Sequence, residues 1–385
     1  MTEKEGMRPL DGIKVIEMAG LAPSPFCGMV LSDFGAQVVV VDRLHAEADN
    51  PLRLPENIFD LGKHRIRVDL KKRDGADIVR NMIRKSDVLV ESYRPGVMEL
   101  LGLGPERALS DNPKLIYARV TGWGQNGIFA RSAGHDINYI ALSGALSLFK
   151  RKGEKPIPPL NILGDFAGGG MLCAMGILLA LIERGRSGKG QVVDAVMLDG
   201  SAYLLTLFYG LFANNLMSLE IGTNMVDGGA PYYQVYETRD GKYMAVGAIE
   251  PQFYAQLLEG LGLNPSSLPE QNDTGAWPEM IHRFAETFRT KTREEWEAIF
   301  AGRDACVSPV LELDEVETHP HNKERGLLTN VNGFFRPSPA PGLSRTPAGV
   351  SDERRPKKAQ SREVLDELGY SEEQIGRFLE NQIVA

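Results

Sequence analysis

Residues 13–42 read IKVIEMAGLAPSPFCGMVLSDFGAQVVVVD, and this stretch decides the fold class. Ile13–Met18 is an apolar run, Pro25–Gly35 carries helical spacing, and Gln37–Val41 is β-branched, a pattern that predicts strand, helix and strand. Parallel strands need such a crossover, so the stretch opens an α/β sheet. It also imitates a dinucleotide-binding unit, because it ends on an acid, Asp42. The turn argues against that reading. Gly20-Leu-Ala-Pro-Ser-Pro-Phe-Cys-Gly28 lacks GxGxxG, and two prolines remove N–H donors that a pyrophosphate would need. Asp42 then closes a strand end, and Arg43 is left to meet a phosphate.

The same alternation continues outward. Ala76–Arg84 reads as a helix and Asp87–Glu91 and Leu115–Val120 as strands, while Phe166–Arg184 reads as a long apolar helix stopped at Gly185-Arg-Ser-Gly-Lys-Gly190. Gln191–Leu198 reads as a buried strand, and Ala202–Phe212, apolar on every side, as a buried helix. Near residue 222 the character changes. Tyr232–Glu237 and Lys242–Ile249 flank Thr-Arg-Asp-Gly as a hairpin, Thr292 and Glu295 form a capping box before Trp296–Phe300, and Cys306–Leu311 reads as a strand. Arg336–Gly349 is Pro-rich and extended, and Arg362–Leu379 reads as two amphipathic helices broken at Gly369-Tyr-Ser. The fold expected is α/β: a large Rossmann-like domain with an open parallel sheet over residues 1–213 and a smaller α+β domain over 231–330. Linkers over 214–230 and 331–350 join them, and 351–385 returns to the large domain.

Of 385 residues, 43% are hydrophobic and 24% charged, which is the make-up of a packed globular chain. A net charge of −8 excludes a long basic face for nucleic acid while allowing a local basic pocket. Cys27, Cys173 and Cys306 match no CxxC pattern and sit in the surroundings of buried free thiols, so a reducing compartment is expected. The start carries no apolar signal core, Met171–Ile182 is short and Gly-interrupted, and Asn381–Ala385 is not an SKL-type tripeptide. No membrane insertion is expected, and the address expected is cytoplasmic, with the peroxisome or mitochondrial matrix as alternatives.

Three segments place ionisable residues at predicted element ends, where α/β folds put their sites. In Ala133-Gly-His-Asp-Ile-Asn-Tyr139, His135 and Asp136 stand at a helix start, either as acid–base groups or as a hydrogen-bonding histidine beside a capping aspartate. In Asn161-Ile-Leu-Gly-Asp-Phe-Ala-Gly-Gly-Gly170, Asp165 precedes a helix and by default caps it. The three glycines cost about 1 kcal/mol each against alanine, which points to something needing close access to that N-terminus, such as a developing enolate oxygen. In Val246-Gly-Ala-Ile-Glu-Pro-Gln-Phe253, Glu250 either caps a helix or orients a histidine.

These segments, with Leu10-Asp-Gly-Ile-Lys-Val-Ile-Glu17, Tyr93-Arg-Pro-Gly-Val97, Thr121-Gly-Trp-Gly-Gln125, Met225-Val-Asp-Gly-Gly-Ala-Pro-Tyr-Tyr233 and Asp304-Ala-Cys-Val-Ser-Pro-Val310, resemble the class III CoA-transferase superfamily, also called the CaiB/BaiF family. The resemblance spans nearly the whole chain and is strongest to the members that racemise acyl-CoA thioesters. It implies inversion of a 2-methylacyl-CoA centre through an enolate, with His135 and Asp165 as opposed bases, Glu250 orienting the histidine, Asn161 partnering the aspartate and Asp136 close by. Arg43, Lys71, Tyr93 and Arg94 match positions holding CoA, and Tyr233 and Ile249 positions at the substrate. Leu61-Gly-Lys-His-Arg-Ile-Arg67 departs from the family's usual basic run, which leaves Lys63 and Arg65 without a carried-over role.

A branched-chain acyl-CoA substrate and an interlocked homodimer are further implied, with no cofactor beyond the CoA of the substrate and no metal. A CoA-transferase on the same fold would use Asp165 as a nucleophile and would not require His135 as a second titrating group. A non-catalytic nucleotide-binding module would leave all three ionisable segments without a purpose.

Overall fold

A computed structural model describes residues 8–44, 58–350 and 360–385. These fall into two compact units, one of Met1–Ala145, Pro159–Leu205 and Gly326–Ala385, the other of Leu146–Pro158 and Thr206–Arg325. The second unit begins ahead of the expected small domain, so 214–230 lies within it rather than between domains. Residues 1–7 and 351–359 of the expected segments lie outside the described residues.

The first unit is built on six parallel strands, β1 (Lys14–Met18), β2 (Gln37–Arg43), β3 (His64–Val68), β4 (Val88–Glu91), β5 (Ile116–Thr121) and β6 (Gln191–Val196). Their order is β3-β2-β1-β4-β5-β6, so the chain reverses direction across the sheet between β1 and β4. Period-two alternation buries both faces. Ile16, Met18, Leu89 and Tyr117 turn to one side, against the helix Arg73–Arg84 and the C-terminal helices Ser361–Glu367 and Glu372–Glu380. Val15, Val88, Val90, Ile116 and Ala118 turn to the other, against the helices Pro23–Asp33 and Leu172–Ser187.

β3 falls in the basic stretch, to which the sequence pattern assigns no element. Its Ile66 and Val68 are buried at alternate positions, a strand signal masked by the intervening arginines. Two further expectations are corrected. β6 is an edge strand, exposed over much of its length, because no strand among the described residues pairs with its outer side. The all-apolar helix, Thr206–Ala213, contains no buried residue, and Leu207, Tyr209 and Phe212 are exposed. Hydropathy registers that a surface avoids water without saying what covers it.

The second unit pairs β7 (Tyr233–Glu237), β8 (Tyr243–Gly247) and β9 (Val307–Pro309) antiparallel, with β8 central. The helices Pro251–Leu261, Trp277–Phe288 and Arg293–Phe300 cover it through Tyr236, Tyr254, Phe284, Phe288 and Trp296. The capping box forms as expected: Thr292 Oγ1 accepts from the Glu295 N–H, and Glu295 returns its carboxylate to the Thr292 N–H. The Pro-rich stretch begins in a hairpin of the first unit, β10 (Leu328–Val331) with β11 (Phe334–Pro337). It is anchored there by a buried Arg336–Asp33 pair and by the Gly349 N–H donating to the Asp33 carbonyl. Behind it the C-terminus adds to the sheet, as Val384 bridges antiparallel to Val68.

Candidate functional site

In a parallel sheet all C-terminal strand ends share one edge, and ligands bind outside that edge. Arg43 ends β2, Lys71 follows β3, Tyr93 and Arg94 follow β4, and His135 lies on the connection after β5. Arg43 and Lys71 are exposed. The turn carrying Tyr93 and Arg94 is held by Glu91, fully buried, whose carboxylate accepts from Arg119 Nε at 2.8 Å and from the Tyr93 N–H at 2.7 Å. Burial raises the Tyr93 phenol, and the nearby Arg43 charge opposes that rise.

Two charges of the basic stretch are spent inside the protein. Lys63 Nζ lies 2.7 Å from Glu17 Oε2 and donates to the Pro25 carbonyl at 2.9 Å, all out of contact with water. Arg65 pairs with Asp42 and Asp60. Lys63 and Arg65 are therefore each matched by carboxylate. Gly28 is what admits the buried pair, since a Cβ there would fall 1.8 Å from Glu17 Oε2.

His135 is the residue before the helix Asp136–Leu142, exposed at its N-terminus, with its N–H donating to Asn138 Oδ1 at 3.1 Å. Asp136 does not cap that helix. It is buried, and its Oδ2 accepts from the Asp165 N–H at 2.7 Å, which ties the two site segments together; its Oδ1 is buried with no partner among the described residues.

Asp165 sits within a π-helical turn, Ile162–Met171, which runs straight into the helix Leu172–Ser187; Asn161, not Asp165, is the residue that precedes it. Wide π turns recur at functional sites. Asn161 Nδ2 donates to Asp165 Oδ2 at 3.0 Å, and Phe166 packs on Phe26 with ring centroids 5.1 Å apart. The glycines have a different cause from the one expected. A Cβ at Gly168 would meet the Ser201 N at 2.8 Å, at Gly169 the Met197 Cγ at 2.9 Å, and at Gly170 the Pro23 carbonyl at 2.6 Å. They let the π turn press against two neighbouring helices, one turn beyond the N-terminus rather than at it.

The resulting electrostatics suit proton transfer. Burial pushes the Asp165 carboxyl above its ordinary range; the Asn161 hydrogen bond opposes this, the Asp136 charge adds to it, and His135 is near enough to favour the anion. A half-buried carboxylate of raised pKa beside a histidine can exchange protons with a weak carbon acid. The run Ile162–Ser187 is apolar and long enough by composition to cross a membrane. Its Cys173, Ala174, Ile177 and Ala180 nevertheless bury in the sheet core.

Glu250, Tyr233 and Ile249 belong to the second unit. Glu250 precedes the helix Pro251–Leu261 and is exposed, without a capping bond from its side chain. Tyr233 pairs with Gly247 across the sheet, and the Ile249 carbonyl accepts from Gln271 Nε2 at 2.7 Å. Cys306 stands at this end too, exposed rather than buried as expected, with its thiol raised by burial, Asp304 and Glu250. Cys27 and Cys173 are buried and free. Among the described residues no cluster of histidine, cysteine and acidic side chains could hold a metal ion.

A family model described as CoA-transferase family III matches residues 10–360. Alpha-methylacyl-CoA racemase of Mus musculus is 52% identical to this chain over 377 residues, covering 97% of each. The protein of that name from Homo sapiens is 51% identical over 377 residues, with the same coverage. A CAIB/BAIF family protein from Brucella suis, solved by crystallography, matches with a TM-score of 0.81 at 24% identity, over 94% of this chain and 99% of that one, a likeness of fold.

Proposed function

The chain belongs to CoA-transferase family III, and from that premise we propose that it is an isomerase that inverts the 2-methyl centre of 2-methylacyl-CoA thioesters. The observation that carries the reading is the tie between the segments of His135 and Asp165: Asp136, adjacent to the histidine, accepts the Asp165 N–H at 2.7 Å. The identity to racemases from mouse and human supports it.

The α-proton of a thioester is only weakly acidic, so a base must sit on the C–H while the enolate forms. In one direction neutral His135 takes the proton and protonated Asp165 returns one to the opposite face. In the other, ionised Asp165 takes it and protonated His135 returns it. Bringing the carboxyl's pKa toward the working range narrows the proton-transfer gap, and the raised pKa of Asp165 fits that task. Arg43, Lys71, Tyr93 and Arg94 hold the CoA end. The chemistry calls on no cofactor beyond that CoA.

We further propose that the active form is a homodimer, with Glu250 of the partner subunit orienting His135. The uncovered helix Thr206–Ala213 supports self-association, as do exposed Leu216 and Leu219 beyond it.

The test is incubation with a 2-methylacyl-CoA in D₂O. α-Deuteration without an added acceptor acid is expected, and it should be lost for one enantiomer in His135→Ala and for the other in Asp165→Ala. CoA transfer to a free acid with no deuteration would overturn the reading in favour of a transferase.

A further inference from the structure

We propose that Tyr139 is the positioning residue of His135, acting through the backbone on which the histidine is carried. Tyr139 lies one turn into the helix Asp136–Leu142 and is 6% exposed. Its hydroxyl donates to the carbonyl of Gly134, the residue before His135, at 2.5 Å. The His135 N–H is held from the same helix by Asn138 Oδ1. The histidine is exposed, so little packing fixes its ring, and the held backbone on its N-terminal side determines where the side chain starts.

The tyrosine ring has a seat built for it. Trp123 meets it edge-on, with centroids 4.8 Å apart and planes at 84°. A Cβ on Gly122 would fall 2.0 Å from Tyr139 Cζ, inside the ring's own volume. A Cβ on Gly134 would fall 2.7 Å from Tyr139 Cε1 and 2.9 Å from Trp123 Nε1. Both glycines and the tryptophan of the Thr121-Gly-Trp-Gly-Gln125 and Gly134-His-Asp segments are thereby explained as parts of one clamp. The ring also faces the charges of Asp165, Asp136 and Arg94. Burial, helped by the two carboxylates, pushes the phenol up to about 12, so it remains a proton donor to the Gly134 carbonyl at neutral pH.

This inference rests on the two-base reading, so the experiment separates them. Exchange of the α-proton in D₂O, with retention, is followed from each enantiomer of a 2-methylacyl-CoA in wild type, His135→Ala and Tyr139→Phe. The enantiomer that stops exchanging in His135→Ala is the one served by His135. In Tyr139→Phe its exchange should fall roughly 10- to 100-fold, as small misplacements of a reacting group do. The other enantiomer's exchange and KM should stay within about threefold. Equal losses for both enantiomers, or none for either, would overturn the assignment to Tyr139. A wild type that exchanges neither enantiomer refutes the two-base reading and this assignment with it. If Tyr139→Phe does not fold, Gly122→Ala decides: it moves the ring and keeps the hydroxyl, and the same one-sided loss is expected.

Discussion

Replacing Lys63 by methionine separates a structural lysine from a phosphate-binding one. The Lys63 and Glu17 side chains are each 1% exposed and 2.7 Å apart, and Pro25 takes a second ammonium proton at 2.9 Å. Methionine keeps the apolar stem and removes the charge, leaving Glu17 buried without its cation. Breaking a buried pair from one side costs about 3–5 kcal/mol. A domain of this size moves roughly 2–4 °C in Tm per kcal/mol, so a fall of roughly 6–20 °C is expected. The sign of the pH dependence follows from Glu17. Burial already raises its pKa against the pull of Lys63, and losing the lysine raises it further. A carboxyl whose folded pKa lies above its unfolded value contributes stability that is present below the unfolded pKa and lost as pH rises through the folded one. The deficit is therefore largest at neutral and alkaline pH and shrinks as Glu17 takes up a proton. Thermal unfolding across pH, with KM for acyl-CoA measured alongside, is the assay. The double variant Glu17→Leu with Lys63→Met should recover most of the loss, because apolar replacement of a buried pair is often close to neutral. A Tm unchanged at neutral pH together with a raised KM would refute the reasoning and return Lys63 to the phosphates.

Arg43→Ala and Arg94→Ala should each raise KM for acyl-CoA more than they lower kcat, since phosphate contacts supply uniform binding; an unchanged KM in both removes the CoA assignment. Asp136→Asn takes away one of the charges that raise the Asp165 pKa, so the acid limb of the pH–rate profile for the enantiomer Asp165 serves should move to lower pH. A limb that stays in place or moves up contradicts this. Gly170→Ala drives a methyl toward the Pro23 carbonyl, 2.6 Å away, and should cost about 1–3 kcal/mol in denaturant unfolding. Gly185→Ala, in a helix with nothing within 4 Å of the added Cβ, should instead stabilise by about 0.5–1 kcal/mol. Leu207→Glu with Phe212→Glu should shift sizing toward the monomer if the exposed helix self-associates, and an unchanged elution volume removes it from the interface.

The parallel α/β core was legible because its strands are buried on both faces and its helices have clean ends. β1, β2, β4 and β5 each lie within a residue or two of where β-branched runs place them. β3 was not legible, since His64-Arg-Ile-Arg-Val68 hides two buried apolar residues among basic ones, and the partners of Arg65, Asp42 and Asp60, lie outside the strand. The π turn around Asp165 was read as an ordinary helix start, because local spacing does not distinguish the two turns.

Residue types and their order along the chain determined by themselves that His135 and Glu250 stand at element ends and that Asp165 lies near one, because polar groups interrupting apolar runs are a local signal. Only the tertiary structure decided what those groups and their neighbours touch. It turned Asp136 from a helix cap into the acceptor of the Asp165 N–H, gave Lys63 to Glu17 instead of to a ligand, and made the glycine triplet a packing surface. Each of these depends on residues that are distant in sequence and become neighbours only when the sheet assembles. Charge pairing and close approach are properties of distance in space, which spacing along a chain does not encode.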